Sequence, residues 1–155
     1  MYNSASVTLR KMRSLLSILA ILSCLWCAAI PFMVRYHIVI LFDLNIVHDY
    51  IKILIGAMIG FLAISMLCFL FVTFGWTIKM QLKTLNIAFF FFTIANILFT
   101  LANAYSFYVD PYEFNNRIPI PLILFAVTLI ISVIFIFFYF SLKKYCKNKK
   151  KYWNR

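Results

Sequence analysis

Charged residues are scarce in this sequence, and acidic residues are the scarcest of all. Of 155 residues only 12% are charged, with 15 Lys and Arg against 4 Asp and Glu. An average soluble domain has about 25% charged residues. A soluble fold of this size exposes too much surface to be covered by so few charges. The composition therefore excludes an ordinary soluble globular domain.

Several kinds of functional motif are also missing. There is no phosphate-binding glycine loop and no nucleophile–His–acid set at a suggestive spacing, so we expect neither an enzyme nor a cofactor. None of the four cysteines lies in the exposed segments 35–52 and 110–117, which also lack an Asn-x-Ser/Thr sequon. A disulfide-stapled or N-glycosylated ectodomain is therefore not expected.

The sequence is rich in apolar residues, which make up 65% of the chain at a mean hydropathy of +0.96. They lie in four runs without any charge, 14–34, 53–78, 84–109 and 118–142. About 20 apolar residues span a bilayer as a helix, and lipid requires every backbone polar group to be bonded internally. We predict an all-α membrane protein with four transmembrane helices in a compact bundle.

The distribution of charge predicts how these helices are oriented. Four spans place the tails 1–13 and 143–155 on one side, together with the loop 79–83. That side has twelve basic residues and no acidic ones: Arg10, Lys11, Arg13, Lys79, Lys83, Lys143, Lys144, Lys147, Lys149, Lys150, Lys151 and Arg155. The positive-inside rule predicts that both termini are cytoplasmic. An alternative for the first run is a cleaved signal peptide, because Arg10 to Arg13 precede it.

The second run contains Gly56 and Gly60, with Ala63 continuing the same helix face. This small-xxx-small pattern allows helix backbones to approach closely in membranes. One interpretation is close packing within the chain. The other is association of two copies through Gly56 and Gly60.

The third run has a polar stripe with helical phase. Asn86, Thr93, Asn96, Thr100 and Asn103 fall within an arc of about 100° on a helix. One interpretation is structural hydrogen bonding between helices. The alternative is a surface that lines a substrate path or contacts a partner. The fourth run has no comparable face, so we expect it to have the most lipid contact.

Cysteines suggest two further sites. Cys24 and Cys27 form a C-x-x-C pair that resembles the motif of quinone-linked thiol oxidases, which implies membrane redox chemistry. Those enzymes need a second cysteine pair outside the membrane, and this chain has none there. Cys146, just beyond the fourth run, is a candidate for palmitoylation.

The remaining polar residues point to the lipid surface rather than to a metal or to nucleic acid. His37, Asp43, His48 and Asp49 match no metal-ligand spacing, so no metal site is expected. The basic tail adjoins a span, so its lysines are expected to contact anionic lipid headgroups and not nucleic acid. These lysines are Lys143, Lys144, Lys147, Lys149, Lys150 and Lys151.

These patterns indicate function only in outline. The first hypothesis is a non-enzymatic multi-pass protein that acts by lateral helix–helix interaction, with itself or other membrane proteins, as a complex subunit or organiser in trafficking or membrane structure. The second is a small channel or facilitator whose pore is lined by the stripe of the third helix. The third is thiol redox through Cys24 and Cys27. Topology resembles tetraspan families such as the MARVEL-type proteins of membrane sorting, but without a shared motif.

Overall fold

The computed structural model describes residues 2–33, 49–109 and 120–150, and these consist of four long helices. They are α1 (Tyr2–Met33), α2 (Asp49–Thr73), α3 (Ile78–Val109) and α4 (Ile120–Asn148). All four are long and apolar enough to cross a membrane. The chain is therefore an integral multi-pass membrane protein, as the uncharged runs predicted.

The helices extend beyond the uncharged runs at four places. α1 begins at Tyr2 instead of residue 14, α2 at Asp49 instead of 53, and α3 at Ile78 instead of 84. α4 continues to Asn148 instead of ending at 142. An uncharged stretch marks the part of a helix that can lie in the hydrocarbon core of a bilayer. Lys and Arg are good helix formers, so a helix does not have to end where they begin.

α2 ends earlier than its uncharged run, because a tight turn at residues 74–77 interrupts it. The backbone N–H of Gly75 donates to Val72 O at 3.1 Å, and that of Phe74 donates to Phe71 O at 3.2 Å. Thr77 then caps α3, its hydroxyl accepting from the Met80 N–H at 3.2 Å. Because the turn contains the apolar residues Phe74 and Trp76, charge and hydropathy alone did not reveal it.

Buried positions recur in steps of three and four residues along each helix. On α2 they are Ile55, Met58, Leu62, Ser65, Phe69 and Val72. On α3 they include Ile78, Gln81, Leu85, Ala88, Phe92, Ala95, Phe99 and Ala102. This heptad spacing keeps one seam of each helix against its neighbour, as in left-handed coiled coils. The α2–α3 pair has the most extensive helix–helix contact in the described chain.

α1 packs mainly on α2, whereas α4 makes smaller contacts with α1 and α3. Only 17% of the apolar stretch of α4 is buried, the lowest share of the four helices. Its exposed residues include Ile130, Val133 and Phe137. The fourth helix is thus the least buried of the four described helices, as expected for the helix with the most lipid contact.

One end of the structure collects the basic residues. Ser17 of α1 accepts a hydrogen bond from Gln81 near the start of α3, and Lys143 near the end of α4 contacts Asn86. The start of α1, the α2–α3 turn and the end of α4 therefore lie together, and we call this region the basic end. Ten described basic residues belong to it: Arg10, Lys11, Arg13, Lys79, Lys83, Lys143, Lys144, Lys147, Lys149 and Lys150.

Candidate functional site

The small residues of α2 face away from the other described helices. Gly56 and Gly60 are exposed, and a Cβ atom added at either would meet no atom within 4 Å. Ala63 is exposed as well. On a helix these three positions lie about 140° around from the buried Ile55 and Met58. Within the part of the chain that the structure describes, nothing packs closely on Gly56 or Gly60.

This outward face continues along α2 with the same heptad spacing. Leu67 and Leu70 follow Gly56, Gly60 and Ala63 in steps of four and three, and both leucines are exposed. We call these five residues the outer face of α2. Small side chains form a shallow groove in its first half and large ones a ridge in its second half. α2 thus has two seams, one occupied by α1 and α3 and one open.

The polar stripe of α3 bonds largely to its own helix. Thr93, Asn96, Thr100 and Asn103 each donate to the carbonyl four residues earlier, at 2.7–2.8 Å. The hydroxyl donors and one N–H of each amide are therefore satisfied without a partner helix. Burial varies along the stripe: Asn103 is buried, Thr93 and Asn96 are half-buried, and Thr100 is exposed.

The stripe reaches another helix at Asn86. Its Oδ1 accepts hydrogen bonds from the Tyr139 hydroxyl and from Lys143 Nζ, the latter at 3.0 Å. Lys143 also lies 5.4 Å from the centre of the Tyr139 ring. Asn86 therefore ties the beginning of α3 to the end of α4. The structural interpretation of the stripe applies most clearly at this position.

A cavity of about 230 Å³ separates α3 from α4 beside this contact, with Asn86, Thr93 and Tyr139 among its lining residues. Further along α3, the buried Asn103 Oδ1 has no hydrogen-bond partner among the described residues. Asn103 does not line this cavity, because it lies ten residues, about 15 Å, beyond Thr93 along α3.

Cys24 and Cys27 both face α2. Cys24 Sγ donates to Met66 O at 3.8 Å, and the buried Cys27 contacts Ser65. Ser65 in turn donates to Ala88 O of α3 at 2.7 Å. Both cysteines are free thiols inside a membrane span. Their placement indicates helix packing, and it offers a redox partner no open approach to Cys27.

The tail residues differ from one another in exposure. Cys146 is fully buried, whereas S-acylation requires an accessible thiol, so this conformation does not support its palmitoylation. Lys143 is half-buried against Asn86 instead of free for lipid. Lys144, Lys147 and Lys150 are exposed and Lys149 is half-buried, while Lys151 lies outside the described residues.

Sequence reasoning missed two groups of contact residues. The buried Gln81 donates from Nε2 to Val72 O at 3.1 Å and to Ser17 Oγ at 3.4 Å, which joins three helices. On α4, Ser132 accepts from Trp26 Nε1 at 3.1 Å, and Thr128 is buried. The signal was present in the spacing of Thr128, Ser132 and Tyr139, the first two separated by four residues and the last two by seven.

No group of three or more His, Cys, Asp or Glu that could hold a metal occurs in residues 2–33, 49–109 or 120–150. His37, Asp43 and His48 fall outside those ranges, and Asp49 begins α2. No protein-family model matches the chain, and no curated protein or solved structure matches it either. Function is therefore inferred from the chain's own residues.

Proposed function

We propose that this protein is a non-enzymatic membrane protein that acts by lateral helix–helix association in the bilayer, as a subunit or organiser of a membrane complex. The observation that supports this most is the outer face of α2. Gly56 and Gly60 occupy it without any neighbour within 4 Å. α2 already packs on α1 and α3, and its outer face is a second seam on which another helix can pack.

The physical reason lies in what drives association in lipid. Apolar side chains gain nothing by leaving lipid for protein, so membrane helices associate by close van der Waals contact. Glycines at i and i+4 lower the helix surface and allow two backbones to approach. Large exposed residues such as those of α4 do not offer this approach.

The partner that fits best is the α2 helix of a second copy. Two copies inserted with the same orientation present their α2 helices in parallel, so Gly56 and Gly60 can face their counterparts across a two-fold axis. Lys52 lies one turn before Gly56 on the same side of the helix and is exposed. A parallel pair therefore brings two Lys52 side chains near one another, where an amine-reactive reagent can join them.

The test uses the full chain in liposomes over a series of lipid dilutions. Amine-reactive crosslinking followed by peptide mapping is expected to yield a dimer with a Lys52–Lys52 link. Gly60→Leu is expected to weaken dimerisation about tenfold or more, equivalent to about 1.4 kcal/mol. Its fold should be unaffected, because the space next to Gly60 is empty in the single chain.

Ala126→Leu on α4 is the matched control, because Ala126 is also exposed and small. It should leave the dimer unchanged. A protein that stays monomeric at every dilution, or a Gly60→Leu variant that dimerises like the parent chain, would contradict the proposal. When the same crosslinking is done in native membranes, a Lys52 link to a different membrane protein and none to a second copy would contradict the choice of a second copy.

A further inference from the structure

A second cavity lies at the basic end, between α1 and the α2–α3 turn. Its volume is about 360 Å³, near the lower limit of small-molecule sites. Arg10 and Arg13 form one wall, and Trp76, Thr77 and Ile78 form the other. The cavity is separate from the outer face of α2, so binding there does not depend on self-association.

The two arginines give this cavity a concentrated positive charge. Arg10 and Arg13 are three residues apart on α1, which places them on the same face of the helix. Both are exposed. The one acidic residue in the described chain, Asp49, begins α2 and is therefore about 35 Å from the turn at the other end of that helix.

The beginning of α3 adds to this positive potential. Ile78, its first residue, lines the cavity beside the capping residue Thr77. A helix N-terminus carries the positive end of the helix dipole, which favours anions. Arginine guanidinium groups bind phosphate oxygens through two parallel hydrogen bonds. The cavity thus combines two sources of phosphate affinity.

The surroundings of the cavity indicate which phosphate can reach it. Trp76, at the edge of the cavity, is 83% exposed. Tryptophan side chains prefer the headgroup region of a bilayer. Apolar helix surface begins directly beyond Arg13, at residue 15. A lipid whose acyl chains lie along α1 therefore has its headgroup at the level of Arg10 and Arg13.

We propose that this cavity binds the phosphate of an anionic lipid headgroup, with Arg10 and Arg13 as its donors. The ligand class is a phosphorylated glycerolipid such as a phosphoinositide. This site differs from the lysines of α4, which are spread over a convex helix surface. The lysines of α4 are expected to attract anionic lipid diffusely. The cavity is expected to bind one headgroup specifically.

The experiment measures binding to the purified full chain in neutral detergent. Dioctanoyl phosphatidylinositol 4-phosphate is titrated, with thermal unfolding midpoint and tryptophan fluorescence as readouts. The R10Q/R13Q double variant is expected to bind at least tenfold more weakly. Without lipid its unfolding midpoint should equal that of the parent chain, because both side chains are exposed. The matched control, K144Q/K147Q, removes the same amount of charge from α4. Its affinity for the lipid should fall less than threefold.

Two further ligands separate the possible sources of the phosphate. Dioctanoyl phosphatidylcholine should bind at least tenfold more weakly than the phosphoinositide. Soluble inositol 1,4-bisphosphate should also bind more weakly than the phosphoinositide. If the two bind equally well, the cavity binds a free phosphorylated metabolite and not a lipid. The proposal is overturned if R10Q/R13Q binds like the parent chain, if K144Q/K147Q loses as much affinity, or if phosphatidylcholine binds equally well.

Discussion

At the scale of single residues, Gly75 and Gln81 determine how α2 connects to α3. An added Cβ at Gly75 would lie 2.5 Å from Gln81 Cγ and 3.2 Å from Val72 O. Gln81 cannot move away freely, because its Nε2 bonds to the same Val72 carbonyl and to Ser17. The turn thus depends on a close approach that only glycine allows.

Gly75→Ala is therefore expected to destabilise the protein. The overlap costs about 1–3 kcal/mol, the range of overpacked sites, and thermal unfolding in detergent should shift down by about 2–12 °C. Gly56→Ala, measured at a detergent dilution that keeps the chain monomeric, is the control, because no described residue lies within 4 Å of its added Cβ. It should leave the midpoint unchanged or raise it. Equal midpoints for the two variants would contradict the role of Gly75 in the turn.

The polar residues show what a sequence can and cannot reveal at this scale. The helical phase of Asn86, Thr93, Asn96, Thr100 and Asn103 was visible from their spacing. Their partners were not, because a Thr or Asn in a helix can bond backward to its own carbonyl or sideways to a neighbour. Four of these five residues bond backward to their own helix. Within the described chain, Asn86 is the one of the five whose side chain bonds to another helix.

At the scale of helices, α4 is the element held by the fewest contacts. Its attachment to α1 depends on Trp26, whose indole N–H donates to Ser132 and whose ring stacks on Phe135 with centroids 6.3 Å apart. Its attachment to α3 includes Tyr139, which stacks on Phe89 at 4.5 Å. A few aromatic side chains therefore account for much of what positions this helix.

Trp26→Ala is expected to loosen α4 more than any other helix. The change removes a large aromatic contact and leaves Ser132 without its donor, which together cost about 3–5 kcal/mol. Hydrogen exchange in nanodiscs should accelerate along α4 while α2 and α3 remain protected. Leu25→Ala is the control, because Leu25 is 61% exposed and faces away from the other helices. Uniform acceleration in all four helices would contradict a local role for Trp26.

The contact face of α4 was not predicted from the sequence, because hydropathy masks it. Its residues are nearly all Ile, Leu, Val and Phe, so hydropathy gives no difference between the side that meets lipid and the side that meets protein. The decisive positions, Thr128, Ser132 and Tyr139, are identified by the packing of α4 on its neighbours. Trp26 lies opposite Ser132, and Asn86 lies opposite Tyr139. Their spacing was visible in the sequence, but only the packed structure shows which neighbours they meet.

At the scale of the whole molecule, the basic residues are gathered from segments far apart in sequence. The start of α1, the α2–α3 turn and the end of α4 all contribute to the basic end. The positive-inside rule predicts that this end faces the cytoplasm. Residues at the opposite helix ends, such as Tyr50 and Tyr108, should then face the other side.

Cysteine labelling of the full chain in intact cells tests this orientation. Replacement of the exposed Thr77 or Asn148 by cysteine should give labelling by a membrane-impermeant maleimide only after permeabilisation. Replacement of Tyr50 or Tyr108, also exposed, should give labelling without it. Cys24, Cys27, Cys68 and Cys146 are replaced by alanine in all four proteins. Labelling of Thr77→Cys in intact cells would show that the orientation is reversed.

The sequence by itself determined that this protein has four membrane-spanning helices and which helix ends carry the positive charge. Both follow from transfer free energies of individual side chains, which do not depend on neighbours. Tertiary structure alone decided that Gly56 and Gly60 face outward, that Cys146 is buried, and that Arg10 and Arg13 share a cavity with Trp76. In lipid, apolar faces are chemically alike, so the choice among them depends on shape complementarity between helices.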